Sequence, residues 1–87
     1  MAYRIEFKKS AAKEYKALTA AMQTQVREAL HLLAVAPFSK LLDIKKLKDA
    51  ESLYRVRFGN YRMVYEVHSK VLLIVIIKIG HRREVYR

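Results

Sequence analysis

The sequence has no cysteine, few acidic residues and no long hydrophobic run. Without cysteine, neither disulfides nor thiolate metal sites can stabilise the fold, which favours a reducing compartment. The longest apolar run, residues 71–77, is far below the roughly 20 residues that span a bilayer, and the N-terminus lacks the apolar core of a signal peptide. We therefore expect a cytoplasmic protein with no membrane partner.

Acidic residues are outnumbered by basic ones, 8 to 18, so that the chain carries a net charge of +10. The acids are scattered singly along the sequence, whereas a metal-dependent nuclease needs carboxylates that converge. Glycine-rich phosphate loops, a nucleophile elbow and zinc-site spacings are also missing from the sequence. We therefore expect no metal or other cofactor, and the excess of positive charge predicts a polyanionic partner. The alternative for the lysines is that they only solvate the surface.

The first half of the chain predicts a strand and a helical hairpin. A length of 87 residues with 53% hydrophobic content is enough for one domain, residues 1–87. Residues 2–7 alternate between apolar and polar, as a half-buried strand does. Ser10 and Thr19 are the predicted N-caps of two helices, and the second helix ends before Pro37. Its apolar stripe consists of Met22, Val26, Ala29, Leu30 and Leu33.

The second half predicts three strands. Residues 38–52 show no clear period and are interpreted as a connecting loop. Residues 53–58 and 61–67 flank Gly59 and Asn60, a pair that suits a type II′ hairpin turn. Residues 71–79 are almost entirely apolar, which predicts an inner strand covered on both faces. The expected fold is α+β, with a helical hairpin packed on a four-stranded, mostly antiparallel sheet, in the order strand, two helices, three strands.

Three arginines are predicted to share one face of the hairpin. The turn fixes a register in which Arg57 lies opposite Arg62, and Arg55 points to the same side as Arg57. Like charges directly opposite each other are destabilising unless an anion binds there, and guanidinium groups hold phosphate oxygens in bidentate fashion. The pattern therefore predicts a phosphate site. The alternative is that the arginines splay apart into solvent.

The C-terminal segment, residues 80–87, adds further arginines, a histidine and Tyr86. Basic residues beside an aromatic ring suit single-stranded RNA, although the segment could equally be a frayed terminus. Cleaving RNA without metal requires stabilisation of a phosphorane, which arginines provide, and proton transfer, for which His81 and Tyr86 are candidates. His31 and His68 are interpreted as surface histidines, the latter in a turn.

Two motifs resemble the RelE/ParE superfamily of toxins: Leu-Tyr-Arg-Val-Arg-Phe-Gly-Asn-Tyr-Arg-Met-Val-Tyr from residue 53, and Gly-His-Arg-Arg-Glu-Val-Tyr from residue 80. The resemblance covers essentially the whole chain and implies the strand, hairpin and three-strand order. It also implies a metal-independent endoribonuclease that cuts messenger RNA in the ribosomal A site by 2′-hydroxyl attack.

The resemblance assigns roles to individual residues. Arg55, Arg57 and Arg62 would bind and polarise the phosphate, Arg82 would aid the leaving group, and Tyr86 would stack on or orient the base. The four arginines are expected to converge on one anion. Relatives also imply an acidic antitoxin of the RelB type that forms a hetero-oligomer with the toxin. Two alternatives remain at this point: a ParE-like inhibitor of DNA gyrase, and a basic binding module without catalysis.

Overall fold

A computed structural model describes residues 2–47 and 52–81. Within these residues it contains two helices and five strands, namely β1 Arg4–Phe7, α1 Lys9–Lys16, α2 Ala20–Val35, β2 Asp43–Lys46, β3 Leu53–Phe58, β4 Tyr61–His68 and β5 Leu73–His81. In this part of the chain, neither helix has the length and apolar character that crossing a membrane requires.

The five strands form one sheet in the order β1-β5-β4-β3-β2. β1 pairs with β5 in parallel, and the remaining neighbours are antiparallel. Ala11 of α1 and Val26, Ala29 and Leu33 of α2 are buried against strand residues in a single core. The predicted α+β class, the helical hairpin and the inner position of the last strand are therefore confirmed. We call the sheet face that bears the helices the core face and the opposite one the outer face.

The sheet has five strands, so the prediction of four is wrong. The additional strand, β2, lies within residues 38–52, which were predicted to form a loop. It occupies one edge of the sheet and pairs with β3, with Asp43 opposite Arg57 and Ile44 opposite Val56. Only Ile44 of its four residues is partly buried, the others being exposed. A strand of four residues with a single apolar side chain shows no alternation of apolar and polar residues. Only its pairing with β3 therefore identifies it as a strand.

The last strand also differs from the prediction. β5 begins at Leu73 because Leu72 has a φ of 52°, a turn conformation, and Val71 is 69% exposed. Its core-face residues Ile74, Ile76 and Ile79 are buried, whereas its other residues are only partly buried or exposed. The prediction of cover on both faces is wrong, because both helices lie on the core face. β4 likewise extends to His68, which was predicted to lie in the turn.

The predicted N-cap of α1 is wrong, and the predicted N-cap of α2 is confirmed. Lys8, in extended conformation, is the N-cap of α1 without a side-chain capping bond, and its N–H donates to the Ile76 carbonyl, so β1 passes almost directly into the helix. Ser10 therefore lies inside the first turn and does not cap it. In α2, the Thr19 hydroxyl accepts a hydrogen bond from the Met22 N–H at 3.2 Å, which confirms the predicted cap.

The β3–β4 turn has the predicted geometry. Gly59 has a φ of 59°, whereas Asn60 does not have a positive φ. This combination is that of a type II′ turn, in which only the first central residue needs the left-handed region. The turn fixes the predicted register, with Phe58 opposite Tyr61 and Arg57 opposite Arg62.

β5 is longer than its parallel neighbour, and a helix residue compensates for the difference. β1 pairs with β5 only as far as Ile76. Further along, the Ile79 N–H donates to the Glu14 Oε1 of α1 at 2.8 Å, and Lys78 Nζ lies 4.0 Å from Glu14 Oε2. A side chain thus satisfies a strand donor beyond the reach of β1.

Tyr65 on β4, the largest fully buried side chain among residues 2–47 and 52–81, connects the loop after α2 to the sheet. Its hydroxyl donates to the Pro37 carbonyl at 3.0 Å, and its ring stacks on that of Tyr54 with centroids 5.9 Å apart. Burial raises the pKa of Tyr65, with a smaller contribution from Tyr54, so the hydroxyl stays protonated and remains a donor.

We expect Tyr65→Phe to lower the free energy of unfolding by about 1–3 kcal/mol, because the buried Pro37 carbonyl loses its donor. Urea denaturation followed by circular dichroism measures this change. Tyr3→Phe is the matched control: it removes an exposed hydroxyl 3.4 Å from Ser69 Oγ, and we expect an effect within about 0.5 kcal/mol. Equal losses of unfolding free energy in Tyr65→Phe and Tyr3→Phe would contradict the role given to the hydrogen bond between Tyr65 and Pro37.

Candidate anion-binding site

The outer face carries a row of residues in register across four strands. Asp43 of β2 lies opposite Arg57 of β3, Arg57 lies opposite Arg62 of β4, and Arg62 lies opposite Gly80 of β5. The intervening Val56 and Met63 are fully buried on the core face, so strand alternation directs the two arginines outward. Arg55 is two residues from Arg57 and shares its face. The structure thus brings together three of the four arginines predicted to converge.

An acidic residue connects two of these arginines. Asp43 Oδ2 accepts a hydrogen bond from Arg57 Nε at 2.8 Å, and Asp43 Oδ1 accepts one from an Arg55 terminal nitrogen at 3.3 Å. The same Arg55 nitrogen also donates to the Asp43 main-chain carbonyl at 3.2 Å. One residue at the edge of the sheet therefore holds both guanidinium groups through three hydrogen bonds.

The ion pairs favour the charged form of Asp43. The hydrogen bond from Arg57 is the main cause that lowers the pKa of Asp43 below its usual value of 3.8, and Arg55 adds to it. Because the pKa is lowered on folding, the ionised group stabilises the fold above pH 3.8, and this contribution is lost as the pH falls through the lower folded-state pKa. At neutral pH, Asp43 thus offsets one of the three positive charges.

Arg55 and Arg57 differ in accessibility. Arg55 is 7% exposed, and its Nε is buried without a hydrogen-bond partner among the described residues. The side chain of Arg57 is 39% exposed, and Arg62 is also partly accessible. A phosphate approaching the outer face would therefore meet Arg57 and Arg62 first. Two arginines in register on neighbouring strands are suited to bind a phosphate and to stabilise the additional charge of a phosphorane.

His81, the candidate for proton transfer, lies at the end of β5 opposite Tyr61. The two rings are in edge contact, with centroids 5.9 Å apart. Strand alternation places Tyr61 on the core-face side of the sheet, whereas its neighbour Arg62 faces outward. We call Arg55, Arg57 and Arg62 the arginine row. In this conformation the imidazole of His81 points away from the arginine row.

The other candidate residues lie elsewhere. His31 is exposed on α2. His68 Nε2 lies 3.1 Å from Glu66 Oε1, and His68 is six residues along β4 from Arg62, or roughly 20 Å. Arg82 and Tyr86 lie outside the described residues. In residues 2–47 and 52–81, no three His, Asp or Glu side chains are grouped so that they could hold a metal ion.

Asp43 is the site residue that sequence reasoning missed. In the sequence it is one of the scattered acids and lies within a stretch that was predicted to be a loop. Only the pairing of β2 with β3 brings it opposite Arg57. The available signal was the single apolar residue Ile44 between polar neighbours, which is too short to define a strand.

The chain is similar to known toxins over nearly its full length. A family model described as "ParE toxin of type II toxin-antitoxin system, parDE" matches residues 5–86. The "Putative toxin RelE1" of Methanocaldococcus jannaschii is 33% identical, covering 100% of this chain and 98% of the relative. The "mRNA interferase toxin RelE" of Escherichia coli K12 is 29% identical, covering 99% of this chain and 92% of the relative.

A solved structure is similar in fold. A chain of the archaeal RelE-RelB complex from Pyrococcus horikoshii OT3 superposes with a TM-score of 0.84 at 31% identity, covering 97% of this chain and 99% of that one.

We expect the carboxyl group of Asp43 to titrate below pH 3.8, and Arg57→Gln to raise its midpoint towards that value, since the Arg57 hydrogen bond is the main cause of the shift. Carbon-13 NMR of the carboxyl group measures both midpoints. Arg4→Gln, which removes a charge from the far edge strand, should leave the midpoint unchanged. A midpoint at 3.8 or above in the unaltered protein would contradict the ion-pair geometry.

Proposed function

The chain belongs to the RelE/ParE superfamily of type II toxin-antitoxin toxins, and from this premise we propose that it is an endoribonuclease that cleaves messenger RNA in the ribosomal A site and so inhibits translation. Support comes from relatives that are named mRNA interferases and from the arginine row on the outer face. The observation that carries the proposal is the direct opposition of Arg57 and Arg62 across β3 and β4.

The opposed arginines suit the chemistry of RNA cleavage by the neighbouring 2′-hydroxyl. In this reaction the 2′-oxygen attacks phosphorus, the bond from phosphorus to the 5′-oxygen breaks, and the products are a 2′,3′-cyclic phosphate and a 5′-hydroxyl. Arg57 and Arg62 would bind the non-bridging oxygens and stabilise the phosphorane, where negative charge increases. Because arginine stays protonated at cellular pH, this charge stabilisation needs no metal ion.

Arg55 would add positive charge to the site from its buried position on β3. Proton transfer and base recognition are assigned to the C-terminal segment by resemblance to the family. Arg82 would aid departure of the 5′-oxygen, and Tyr86 would stack on or orient the base. His81 remains a candidate for proton transfer and would have to leave its contact with Tyr61 to reach the outer face.

We also propose that an acidic antitoxin binds this toxin as a hetero-oligomer in the cytoplasm. The net charge of +10 favours an acidic partner, because complementary charge accelerates association and gives specificity. Similar structures from Pyrococcus horikoshii and Methanococcus jannaschii were solved as complexes of RelE with RelB. Neutralising the arginine row would block access of RNA phosphate to it.

A second candidate function is inhibition of DNA gyrase, favoured by the ParE description of the matching family model. RNA cleavage and gyrase inhibition predict different effects of the protein on translation and on DNA supercoiling. A gyrase inhibitor would change DNA supercoiling while leaving translation intact, and it would cut no RNA. A supercoiling assay run beside a translation assay on the same preparation distinguishes them.

We expect brief induction of the toxin without antitoxin to produce messenger RNA cuts in register with codons, and Arg62→Ala to reduce the cleavage rate by about 10²–10³-fold through loss of phosphorane stabilisation. Sequencing of cellular RNA 5′ ends measures the cuts, and single-turnover cleavage on programmed ribosomes measures the rate.

Arg4→Ala is the control for lost charge, because Arg4 pairs with Glu6 on the edge strand β1, away from the arginine row. This variant should cleave at the unaltered rate. Cuts that persist at full rate in Arg62→Ala would contradict the proposed site. Growth arrest without any cuts would point to the gyrase or binding alternatives.

A further inference from the structure

Building on the proposed function, we infer that Asp43 is a positioning residue that orients the Arg57 guanidinium towards the substrate phosphate. Asp43 would touch neither RNA nor the reacting atoms. It would act through Arg57, by fixing which edge of the guanidinium group is presented to the phosphate.

The atoms that form the ion pair define this edge. A guanidinium group can bind an oxyanion side-on, through Nε and one terminal nitrogen, or end-on, through its two terminal nitrogens. Asp43 Oδ2 accepts from Arg57 Nε at 2.8 Å and so takes up the side-on edge. The end-on pair of terminal nitrogens is then the edge that remains for a phosphate.

The position of Asp43 makes it an anchor that does not compete with the phosphate. Asp43 approaches Arg57 from β2, whereas Arg62 lies on the other side of Arg57, on β4. Neighbouring strands are roughly 4.8 Å apart, so the Asp43 and Arg62 backbones are separated by about 10 Å. The carboxylate therefore binds Arg57 from the side away from Arg62, and a phosphate between the two arginines need not displace it.

Asp43 is also held firmly. Its main chain pairs with β3, and both its main-chain oxygen and its Oδ1 accept hydrogen bonds from Arg55, which is almost fully buried. The side chain thus has one oxygen bound to the almost fully buried Arg55 and the other bound to the more exposed Arg57. Such an arrangement reduces the freedom that Arg57 would lose on binding substrate, which is how preorganisation accelerates a reaction.

A double-mutant cycle between Asp43→Asn and Arg57→Lys tests the inference, because lysine has neither Nε nor a two-nitrogen edge. We expect Asp43→Asn to lower kcat on programmed ribosomes by roughly tenfold while KM changes less than about twofold, since the site keeps its three arginines but loses the carboxylate that orients Arg57. In the Asp43→Asn background, Arg57→Lys should then cost little more.

Glu6→Gln is a closely matched control. It also removes one negative charge, its side chain is 52% exposed against 50% for Asp43, and it breaks a comparable pair with Arg4 at the opposite edge of the sheet. This variant should keep the unaltered kcat. Thermal denaturation of each variant shows the folded fraction, so that a rate loss is compared only among folded proteins.

The same cycle is measured by binding, with a short 2′-deoxy oligonucleotide that cannot be cleaved. Arg57→Lys should weaken binding in the unaltered protein and have little effect in the Asp43→Asn background. Equal effects of Arg57→Lys in both backgrounds would overturn the positioning role, as would faster cleavage by Asp43→Asn, which would mean that the carboxylate competes with substrate. If the unaltered toxin cuts no RNA, the proposed function fails, and the binding cycle alone decides the role of Asp43.

Discussion

Arg57 and Arg62 lie opposite each other on neighbouring strands, and this register, which places two like charges on one face of the sheet, is the constraint on which the rest of the structure depends. The sheet tolerates it because the alternate residues of the same strands, Val56 and Met63, are fully buried against the helices. Burial of these side chains contributes roughly 1.5–3 kcal/mol each, more than the 0.2–1 kcal/mol typical of a cross-strand pair. The core face thus holds the outer face in an arrangement that its own charges oppose, and Asp43 reduces the remaining imbalance.

The part of the site that lies on the β3–β4 hairpin was predictable from sequence. Alternation of apolar and basic residues assigns the faces, and the Gly59-Asn60 turn fixes which residues are opposite one another. Both signals are local, since they depend on residues close together in the chain. The helical hairpin was predictable for the same reason, because the apolar stripe of α2 and its Thr19 cap lie within one segment.

What escaped prediction depends on contacts distant in sequence. β2 is a strand only because β3 pairs with it, and Asp43 joins the arginines only through that pairing. The outer face of β5 is left without a helix because both helices pack on one side of the sheet, which a run of apolar residues does not reveal. The direction of His81 likewise follows from its pairing with Tyr61. Sequence patterns are therefore least informative about short edge strands such as β2 and about ion-pair partners such as Asp43.

The hydrogen bond from Ile79 to Glu14 has a consequence for how copies of this protein meet. A strand that outruns its neighbour normally offers free amides to which another chain can add, and such edges promote aggregation. Here a carboxylate from α1 occupies that donor, and Lys78 beside it adds a charge that disfavours an incoming strand. Edge-to-edge association with another copy of this protein is thereby discouraged near the C-terminal end of β5, although most of the strand is apolar.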